Sequence, residues 1–360
     1  MAPVIDALKG RPNINLVIMA TAQHREMLDA MLAVFEIRPD IDLNIMQSGQ
    51  TLSELTARLP LPLENVLIKE RPDIVLVQGD TTTAFMVSLA CFYQKIPVGH
   101  VEAGLRTSNR YYPFPEEMNR LMITRLSSLH FAPTEIAREN LLAEGILPEF
   151  IFKTGNTVID ALHYILKKPI NIAPHIDPEK KLILVTVHRR ENFGKPIRKI
   201  CEAICKIATT FPDVQILIPV HPNPNVYAVV HEKLSGFHNI LLTEPLHYEL
   251  FIHLLQQSYL VISDSGGVQE EGPTLGKPVL VLRENTERPE AVSLGAAKLV
   301  GCDVETIFQE TALLLEDVSV YQTMQLKHSP YGDGKAGERI ATVTTQFLLS
   351  ENPFSVLASE

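Results

Sequence analysis

This sequence lacks the features that would mark it as a membrane, nucleic-acid-binding or repeat protein. Its 360 residues include no long uninterrupted apolar segment, which argues against a membrane-spanning chain although 46% of the residues are hydrophobic. The net charge of −10 argues against nucleic acid as the main partner, because binding a phosphate backbone requires a basic face. Internal repeats, low-complexity tracts and blocks of like charge are also missing. These absences predict a soluble protein with a substantial core and without a membrane or nucleic-acid partner.

Cysteine is rare, and its spacing is not that of a metal site. Cys201 and Cys205 lie four residues apart on a predicted helix over 197–210, but no second pair of Cys or His residues completes a ligand set. Core cysteines in a reducing cytoplasm explain this pattern better than a metal centre. The chain starts in an amphipathic helix pattern without a signal-peptide pattern, so we expect a cytoplasmic protein that holds no metal.

Strand-like and helix-like segments alternate along the whole chain, which predicts an α/β protein with parallel sheets. Helices are predicted between the strands, for example over 24–35 and 83–93. The predicted strands are 15–20, 74–78, 97–101, 129–132, 151–153, 182–187, 215–220, 240–242, 260–263, 278–282 and 298–300.

The length suits two domains of about 150 residues each. A cluster of Lys, Pro and Asp over 167–181 marks the border between them. We therefore expect two doubly wound domains facing a cleft, over 1–165 and 166–335. Ligands of such sheets bind beyond the carboxyl ends of the strands.

The most informative stretch is 259–271, where a short apolar strand ends in Asp264-Ser265-Gly266-Gly267 and a helix follows. Free backbone N–H groups and a positive helix end at one spot favour phosphate. Ser265 is expected to cap this helix or donate its hydroxyl, and Glu271 to accept hydrogen bonds from ribose. A capped strand-to-helix turn is the alternative, but further acidic residues at 270 and 287–290 favour a nucleotide site.

Ionisable residues also follow four of the other predicted strands, those over 74–78, 97–101, 182–187 and 215–220. Asp80 and Glu116 could simply begin helices, and the arginines at 189–190 could form a solvated surface. Because the carboxyl ends of parallel strands meet at one edge, a single site explains these residues better than separate structural roles. The residues concerned are Asp80, Glu102, Arg106, Glu116, Arg120, His188, Arg189 and His221.

Three carboxylates, a histidine and arginines beside a nucleotide pocket suit the chemistry of a nucleotide sugar. The sequence has neither the Gly-x-Gly-x-x-Gly fingerprint of nicotinamide enzymes nor the phosphate loop of NTP hydrolases, so no cofactor is expected. Carboxylates stabilise an oxocarbenium-like sugar and move protons. Histidine and arginine stabilise a departing diphosphate.

The motifs themselves resemble one family over nearly the whole length. The chain is similar to the bacterial non-hydrolysing UDP-N-acetylglucosamine (UDP-GlcNAc) 2-epimerases. The resemblance implies two Rossmann-like domains of the glycosyltransferase-B type, with a final helix over 336–360 that crosses back onto the first domain. The matching segments are 23–28, 79–83, 99–107, 115–120, 155–160, 188–192, 221–225, 264–271, 286–291 and 330–334.

The resemblance implies reversible conversion of UDP-GlcNAc into UDP-N-acetylmannosamine (UDP-ManNAc), through elimination of UDP to a 2-acetamidoglucal and its re-addition. It further implies a homodimer, an activating second UDP-GlcNAc, and ManNAc supply for cell-surface polysaccharide. Which carboxylate serves which face of the sugar stays open. The implied catalytic residues are Asp80, Glu102, Glu116 and His188; the UDP-binding residues are Ser265, Gly266, Gly267, Glu271, Phe251 and Arg120; and the allosteric residues are Gln23, His24, Arg189 and His221.

The start of the chain departs from the family pattern. Family members open with a strand and a Gly-Thr-Arg-Pro-Glu loop, whereas Met1 matches a methionine beyond that loop. We therefore expect the first strand of the first domain to be missing, and a protein that starts at Met1 to be poorly folded or inactive. A proline pair at 60–62 is expected to interrupt a helix. A related transferase, a hydrolysing epimerase and an inactive nucleotide-sugar-binding protein are the alternative interpretations.

Overall fold

The computed structural model describes residues 1–21, 25–45, 47, 49–170 and 176–350, with the backbone alone at 25–27 and 190. It divides into two compact units. The first consists of Met1–Ala161 and the described residues from Tyr331 onward, and the second is Leu162–Pro330. Every strand pairing in both units is parallel, which confirms the predicted α/β class.

The described strands of the first unit form two sheets. The larger contains β3, β4, β5 and β6 in that order, and the smaller pairs β1 with β2. The strand predicted over 15–20 is thus reduced to its last two residues, and its partner β2 was not predicted. The strands are β1 (Met19–Ala20), β2 (Ile41–Asp42), β3 (Val75–Gln78), β4 (Val98–Val101), β5 (Leu129–Ala132) and β6 (Ile151–Lys153).

Helices surround the larger sheet because β4 and β5 are buried along their whole length and need cover on both faces. The helix break predicted at the proline pair lies between α3 and α4, where Pro60 takes the first helical position. The helices are α1 (Ala2–Leu8), α2 (Arg25–Val34), α3 (Leu52–Arg58), α4 (Pro60–Glu70), α5 (Thr82–Tyr93), α6 (Glu116–Leu126), α7 (Glu135–Ala143) and α8 (Thr157–Leu166), which continues into the second unit.

The final helix of the described chain belongs to the first unit. The carboxylate of Asp160 accepts hydrogen bonds from the backbone N–H groups of Ala336 (3.1 Å) and Gly337 (2.8 Å), where this helix begins. A Cβ atom at Gly337 would lie 2.6 Å from the carbonyl oxygen of Pro3, so glycine allows close packing against the first helix.

The second unit contains one six-stranded parallel sheet in the order β12-β11-β10-β7-β8-β9. The direction of winding reverses between β7 and β10, and ligands of such sheets bind at this topological switch point. The strands are β7 (Lys181–Thr186), β8 (Val214–Pro219), β9 (Ile240–Thr243), β10 (Leu260–Ser263), β11 (Val279–Val281) and β12 (Ala297–Leu299).

Helices also connect the strands of the second unit. The long α9 packs a row of buried isoleucines and alanines against the sheet, as its apolar periodicity predicts. The helices are α9 (Lys195–Thr210), α10 (Pro224–Leu234), α11 (Tyr248–Gln257), α12 (Val268–Thr274), α13 (Pro289–Ser293), α14 (Val304–Glu316) and α15 (Val318–Thr323), and α16 (Ala336–Leu349) returns to the first unit.

Candidate active site

Two of the predicted catalytic carboxylates follow neighbouring strands of the first unit. Asp80 lies two residues beyond β3 and Glu102 one residue beyond β4. The side-chain amide of Gln78, at the end of β3, donates to a Glu102 carboxylate oxygen at 3.3 Å and to the Thr157 hydroxyl at 3.2 Å. Parallel strands therefore bring Asp80 and Glu102 to the same edge of the sheet.

Asp80 is held from α6. Its carboxylate lies 2.5 Å from Nη2 of Arg120, and its backbone carbonyl accepts a hydrogen bond from the Asn119 side chain at 2.8 Å. Arg120 is buried whereas the Asp80 side chain is 24% exposed, so a fixed guanidinium sets the direction of a carboxylate that solvent can still reach. Arg120 was predicted to bind UDP, whereas its contacts here are Asp80 and Glu117.

Glu102 has an uncommon backbone conformation. Its φ of 66° lies in the left-handed region, which a residue with a side chain seldom occupies. Such strain persists where the surrounding structure enforces it, and it is concentrated at functional sites. Gly104 follows closely, and a Cβ atom there would lie 2.1 Å from the carbonyl oxygen of Ala137. Only glycine fits at position 104, so the chain that follows Glu102 packs closely against α7.

The adjacent carboxylates Glu116 and Glu117 have different surroundings. Glu116 is the first residue of α6, and one of its carboxylate oxygens is buried without a hydrogen-bond partner in the described part of the chain. Glu117 is 2% exposed and accepts hydrogen bonds from the backbone N–H groups of Thr107 (3.0 Å) and Ser108 (3.0 Å). Glu117 therefore supports the loop before α6, whereas Glu116 has an acceptor left to use.

In the second unit, His188 lies at the topological switch point. It follows β7, and Asp264 follows the neighbouring β10. Nδ1 of His188 lies 3.2 Å from the fully buried Asp264 carboxylate, which also accepts from the backbone N–H groups of His188 and Arg189 and from the Asn192 side chain. This contact orients the imidazole. Burial lowers the pKa of His188 despite the attraction of Asp264.

Two of the four allosteric candidates, Arg189 and His221, belong to this unit and adjoin His188. The rings of His188 and His221 stack with centroids 6.3 Å apart, and Nδ1 of His221 accepts a hydrogen bond from the backbone N–H of Asn223. Nε of Arg189 is buried without a hydrogen-bond partner among the described residues. The structure thus brings His188, Arg189 and His221 together. Gln23 and His24 lie outside the described residues.

The Ser265-Gly266-Gly267 turn joins β10 to α12, as predicted, but Ser265 does not cap the helix. The N-cap residue is Gly267, which makes no side-chain cap. The N–H of Ser265 is already bonded to the Ser263 hydroxyl at 3.0 Å. Within the described chain, the N–H groups of Gly266 and Gly267 have no acceptor, so these two remain to bind an anion.

A buried cation lies directly beneath this turn. A Cβ atom at Gly266 would lie 2.8 Å from Nη1 and 3.1 Å from Cζ of Arg288. Arg288 is in turn bonded to the carboxylates of Glu270 and Glu287. Glycine at 266 therefore leaves room for the guanidinium, and the two carboxylates hold that guanidinium in place.

Glu271, the predicted ribose ligand, is buried on α12. Its carboxylate accepts a hydrogen bond from the Tyr248 hydroxyl at 2.7 Å. Burial raises the pKa of Glu271 to about 7, although Tyr248 and Arg288 both act to lower it. Phe251 lies three residues beyond Tyr248 on α11 and so shares its face of the helix. Phe251 therefore lies on the face of α11 that carries Tyr248, the hydrogen-bond partner of Glu271.

Several residues of these sites were not predicted to be functional. Asp264 follows β10, and its role becomes visible only once the strand order places β10 beside β7. Gln78 and Tyr248 are visible only through their contacts with Glu102 and Glu271. In the described residues, no group of His, Cys, Asp and Glu side chains could hold a metal ion. None of the described helices is both long and apolar enough to cross a membrane.

Comparison with known proteins identifies relatives over almost the full length. A family model described as UDP-N-acetylglucosamine 2-epimerase matches residues 6–345. The UDP-N-acetylglucosamine 2-epimerase of Escherichia coli (strain K12) is 51% identical over 350 residues, which make up 94% of this chain and 93% of the relative. That of Salmonella typhimurium LT2 is 49% identical over 360 residues, or 97% and 96% of the two chains.

Solved structures agree with the sequence relatives. The crystal structure of UDP-GlcNAc 2-epimerase from Neisseria meningitidis bound to UDP-GlcNAc has a TM-score of 0.92 and 48% identity, and covers 96% of both chains. That of the Methanocaldococcus jannaschii enzyme in complex with UDP-GlcNAc and UDP has a TM-score of 0.84 and 37% identity, with 96% of this chain and 95% of the other covered. These findings confirm the resemblance noted in the motifs. The chain belongs to the UDP-N-acetylglucosamine 2-epimerase family of isomerases.

Proposed function

We propose that the protein interconverts UDP-GlcNAc and UDP-ManNAc by inverting C2 of the sugar without hydrolysis. The observation that carries the proposal is the edge of the first sheet, where Asp80 and Glu102 follow adjacent strands and α6, which begins at Glu116, holds Asp80. Carboxylates at one edge suit proton transfer to and from a sugar carbon. Family membership supports the same activity.

The reaction we propose starts with cleavage of the bond between C1 and the diphosphate oxygen. The C2 proton is barely acidic in the intact sugar, but the positive charge that develops at C1 acidifies it. The bond electrons leave with UDP, a carboxylate takes the C2 proton, and the C–H electrons form the C1=C2 double bond of 2-acetamidoglucal. UDP then adds back to C1 as a proton is delivered to the other face of C2. Asp80, Glu102 and Glu116 are the groups proposed for these proton transfers and for stabilising charge.

His188 is proposed to stabilise the departing diphosphate. With Nδ1 directed at Asp264, the other ring nitrogen is left for the ligand. A bound diphosphate adds negative charge beside the ring and so favours the imidazolium, which donates from both nitrogens. Its hydrogen bond strengthens as the leaving oxygen gains charge, which lowers the barrier.

UDP is proposed to bind at the carboxyl edge of the second sheet. Support comes from the N–H groups of Gly266 and Gly267, which find no acceptor in the described chain, at the start of α12. Ser265 would donate its hydroxyl to the phosphates, Glu271 would accept from the ribose hydroxyls, and Phe251 would contact the uracil. Arg120, which is already paired with Asp80, would act on UDP only through that pair.

Allosteric activation and dimerisation are further parts of the proposal. Arg189 and His221 adjoin His188, so an effector held by them would act on the residue that faces the leaving group. Assembly into a homodimer is part of the same proposal. A cytoplasmic location and ManNAc supply to cell-surface polysaccharide stay predictions.

The test is to incubate the enzyme with UDP-GlcNAc in D₂O and follow both epimers by NMR. The proposal predicts UDP-ManNAc and UDP-GlcNAc that both carry deuterium at C2, because the proton is exchanged at the glucal stage. Epimerisation without deuterium would contradict elimination. Release of free ManNAc as the main product would instead indicate the hydrolysing reaction, and transfer of the sugar to an acceptor would indicate a transferase.

A further inference from the structure

His100 is a buried polar residue in the middle of the larger sheet of the first unit. It lies on β4, level with Val77 of β3 on one side and His130 of β5 on the other. Its solvent exposure is 0%, so its ring must find hydrogen bonds inside the protein. Nothing in the chemistry proposed above uses this residue.

The ring makes one specific hydrogen bond. Nε2 of His100 lies 2.8 Å from the backbone carbonyl oxygen of Gly79, and since a carbonyl only accepts, Nε2 carries the proton. Nδ1 is buried without a hydrogen-bond partner in the described part of the chain. Burial lowers the pKa of His100 to about 3, so the ring stays neutral under ordinary conditions and works as a fixed donor.

Gly79 is the residue at which β3 turns toward Asp80. Its φ of +73° is a conformation that glycine adopts readily. Its N–H donates to the carbonyl of Val101 at 3.0 Å. With its carbonyl bonded to His100, both backbone polar groups of Gly79 are therefore held by β4, and the orientation of the peptide leading into Asp80 is fixed.

Asp80 is thus held from two directions. His100 holds the peptide group before it, and α6 holds its own carbonyl through Asn119 and its carboxylate through Arg120. Removing the His100 anchor would let the carboxylate shift, because the ion pair with Arg120 would still draw it toward α6. A displacement of about 1 Å in a catalytic group can lower the rate by about a hundredfold.

We propose that His100 is a positioning residue for Asp80, acting through the carbonyl of Gly79. The inference rests on the proposed function in one respect, which is that Asp80 takes part in the chemistry. His100 itself touches neither substrate nor a reacting atom in this proposal. It supplies the neutral, buried N–H that keeps the turn between β3 and Asp80 in one conformation.

The experiment compares His100→Leu with His100→Gln, each in the wild-type and the Asp80→Asn background. Leucine fills much of the space but cannot donate, whereas the glutamine amide nitrogen reaches the position of Nε2. We expect His100→Leu to lower kcat by about 10- to 100-fold with KM changed less than about threefold, and His100→Gln to restore most of the loss. In the Asp80→Asn background, adding His100→Leu should lower kcat by less than about threefold relative to Asp80→Asn alone. The further loss is small because His100 acts on the rate only through Asp80.

His130→Leu is the matched control. His130 is a buried histidine of the next strand, and it bonds the carbonyls of Thr124 and Phe150 instead of Gly79. The His130→Leu variant should lose about as much thermal stability as His100→Leu does, but its kcat should stay within about threefold of the wild-type value. If His100→Leu fails to fold, His100→Asn replaces it, because its shorter amide cannot reach Gly79.

The outcomes separate the two proposals. Equal losses from His100→Leu in both backgrounds, unchanged kcat, or no restoration by His100→Gln would overturn the positioning role while leaving Asp80 in the chemistry. Wild-type turnover by Asp80→Asn alone would remove Asp80 from the chemistry and contradict the proposed function. A kcat loss in His130→Leu that equals the loss in His100→Leu would show a general effect of packing and would also overturn the inference.

Discussion

The carboxylate of Asp264 holds His188 at two points, with one oxygen 3.2 Å from Nδ1 and the other 3.0 Å from the backbone N–H. Asp264 is 0% exposed, so water does not screen its negative charge and its interactions with the surrounding protein groups are strong. The pair spans β7 and β10, where the sheet of the second unit reverses its winding. The fold itself therefore supplies the oriented imidazole.

His188→Ala should lower kcat far more than it weakens UDP binding. A donor to the departing diphosphate contributes most where negative charge develops, which is in the transition state. We expect kcat to fall by about 10²- to 10³-fold, with the Kd for UDP changed by less than about fivefold. Turnover by stopped assay and UDP titration by calorimetry measure the two effects. Weaker UDP binding with unchanged kcat at saturation would make His188 a ground-state ligand instead.

Asp264→Asn tests whether the orientation of His188 matters. Asparagine preserves the shape but presents a weaker acceptor to Nδ1, so the imidazolium loses its counter-charge. We expect kcat to fall by at least about tenfold and its alkaline pH limb to move to lower pH, because the pKa of His188 loses the contribution that raises it and the imidazolium is deprotonated at lower pH. An unchanged pH profile would show that the pair is structural only.

Each of the three carboxylates should matter on its own. Asp80→Asn, Glu102→Gln and Glu116→Gln are each expected to lower turnover by at least about 10²-fold, as for a positioned acid or base. Exchange of the C2 proton with D₂O, measured separately, shows which variants still remove the proton. Glu139→Gln, on α7 of the same unit, is the control and should leave both rates unchanged. Near-normal rates in all three variants would exclude them from the chemistry.

Much of the second unit was predictable from sequence, because alternating strand and helix patterns predict a parallel sheet and the carboxyl ends of its strands mark the site. The contact of His188 with Asp264 was not predictable from sequence, because it depends on β10 lying beside β7, and only the structure shows that strand order. Of the two roles expected for Ser265, capping α12 was wrong. The helix starts at Val268, two residues too far along for that serine to be the N-cap.

The first unit shows a different limit of sequence reasoning. Glu116 and Glu117 are neighbours of equal chemistry, yet one keeps an unpaired buried oxygen and the other supports two backbone N–H groups of a loop. Nothing local separates them. Their difference arises from which side of α6 faces residues 107–108, and that is a property of tertiary packing.

Gly266→Ala should weaken UDP binding. The added methyl group would lie 2.8 Å from Nη1 of Arg288, so either the turn or the guanidinium must move. Overpacking of this kind costs about 1–3 kcal/mol, and a tenfold loss of affinity corresponds to about 1.4 kcal/mol. Gly236→Ala is the matched control, because nothing lies within 4 Å of its new Cβ atom. Equal UDP affinities of the two variants would show that the turn adapts to the methyl group.

The raised pKa of Glu271 should make the stability of the fold depend on pH. Burial raises this pKa from 4.5 to about 7, so between these values the folded protein keeps a proton that the unfolded chain releases. The free energy of unfolding therefore falls as pH rises through this window. Above the folded pKa, the full cost of keeping an ionised carboxylate buried destabilises the fold. Glu271→Gln removes the cost, so its Tm relative to the wild type should increase from about pH 5 to about pH 8.

Ligand binding should depend on pH in the opposite direction. Ribose hydroxyls donate hydrogen bonds, and an ionised Glu271 accepts them better than a protonated one. Uridine is the suitable probe, because it carries no phosphate to titrate and does not involve His188. Its Kd for the wild type should rise as pH falls below about 7, and Tyr248→Phe, which removes a hydrogen bond that lowers the pKa of Glu271, should shift this rise to higher pH. Glu271→Gln should bind uridine weakly at every pH. A pH-independent Kd in the wild type, measured by NMR titration, would exclude Glu271 as the ribose ligand.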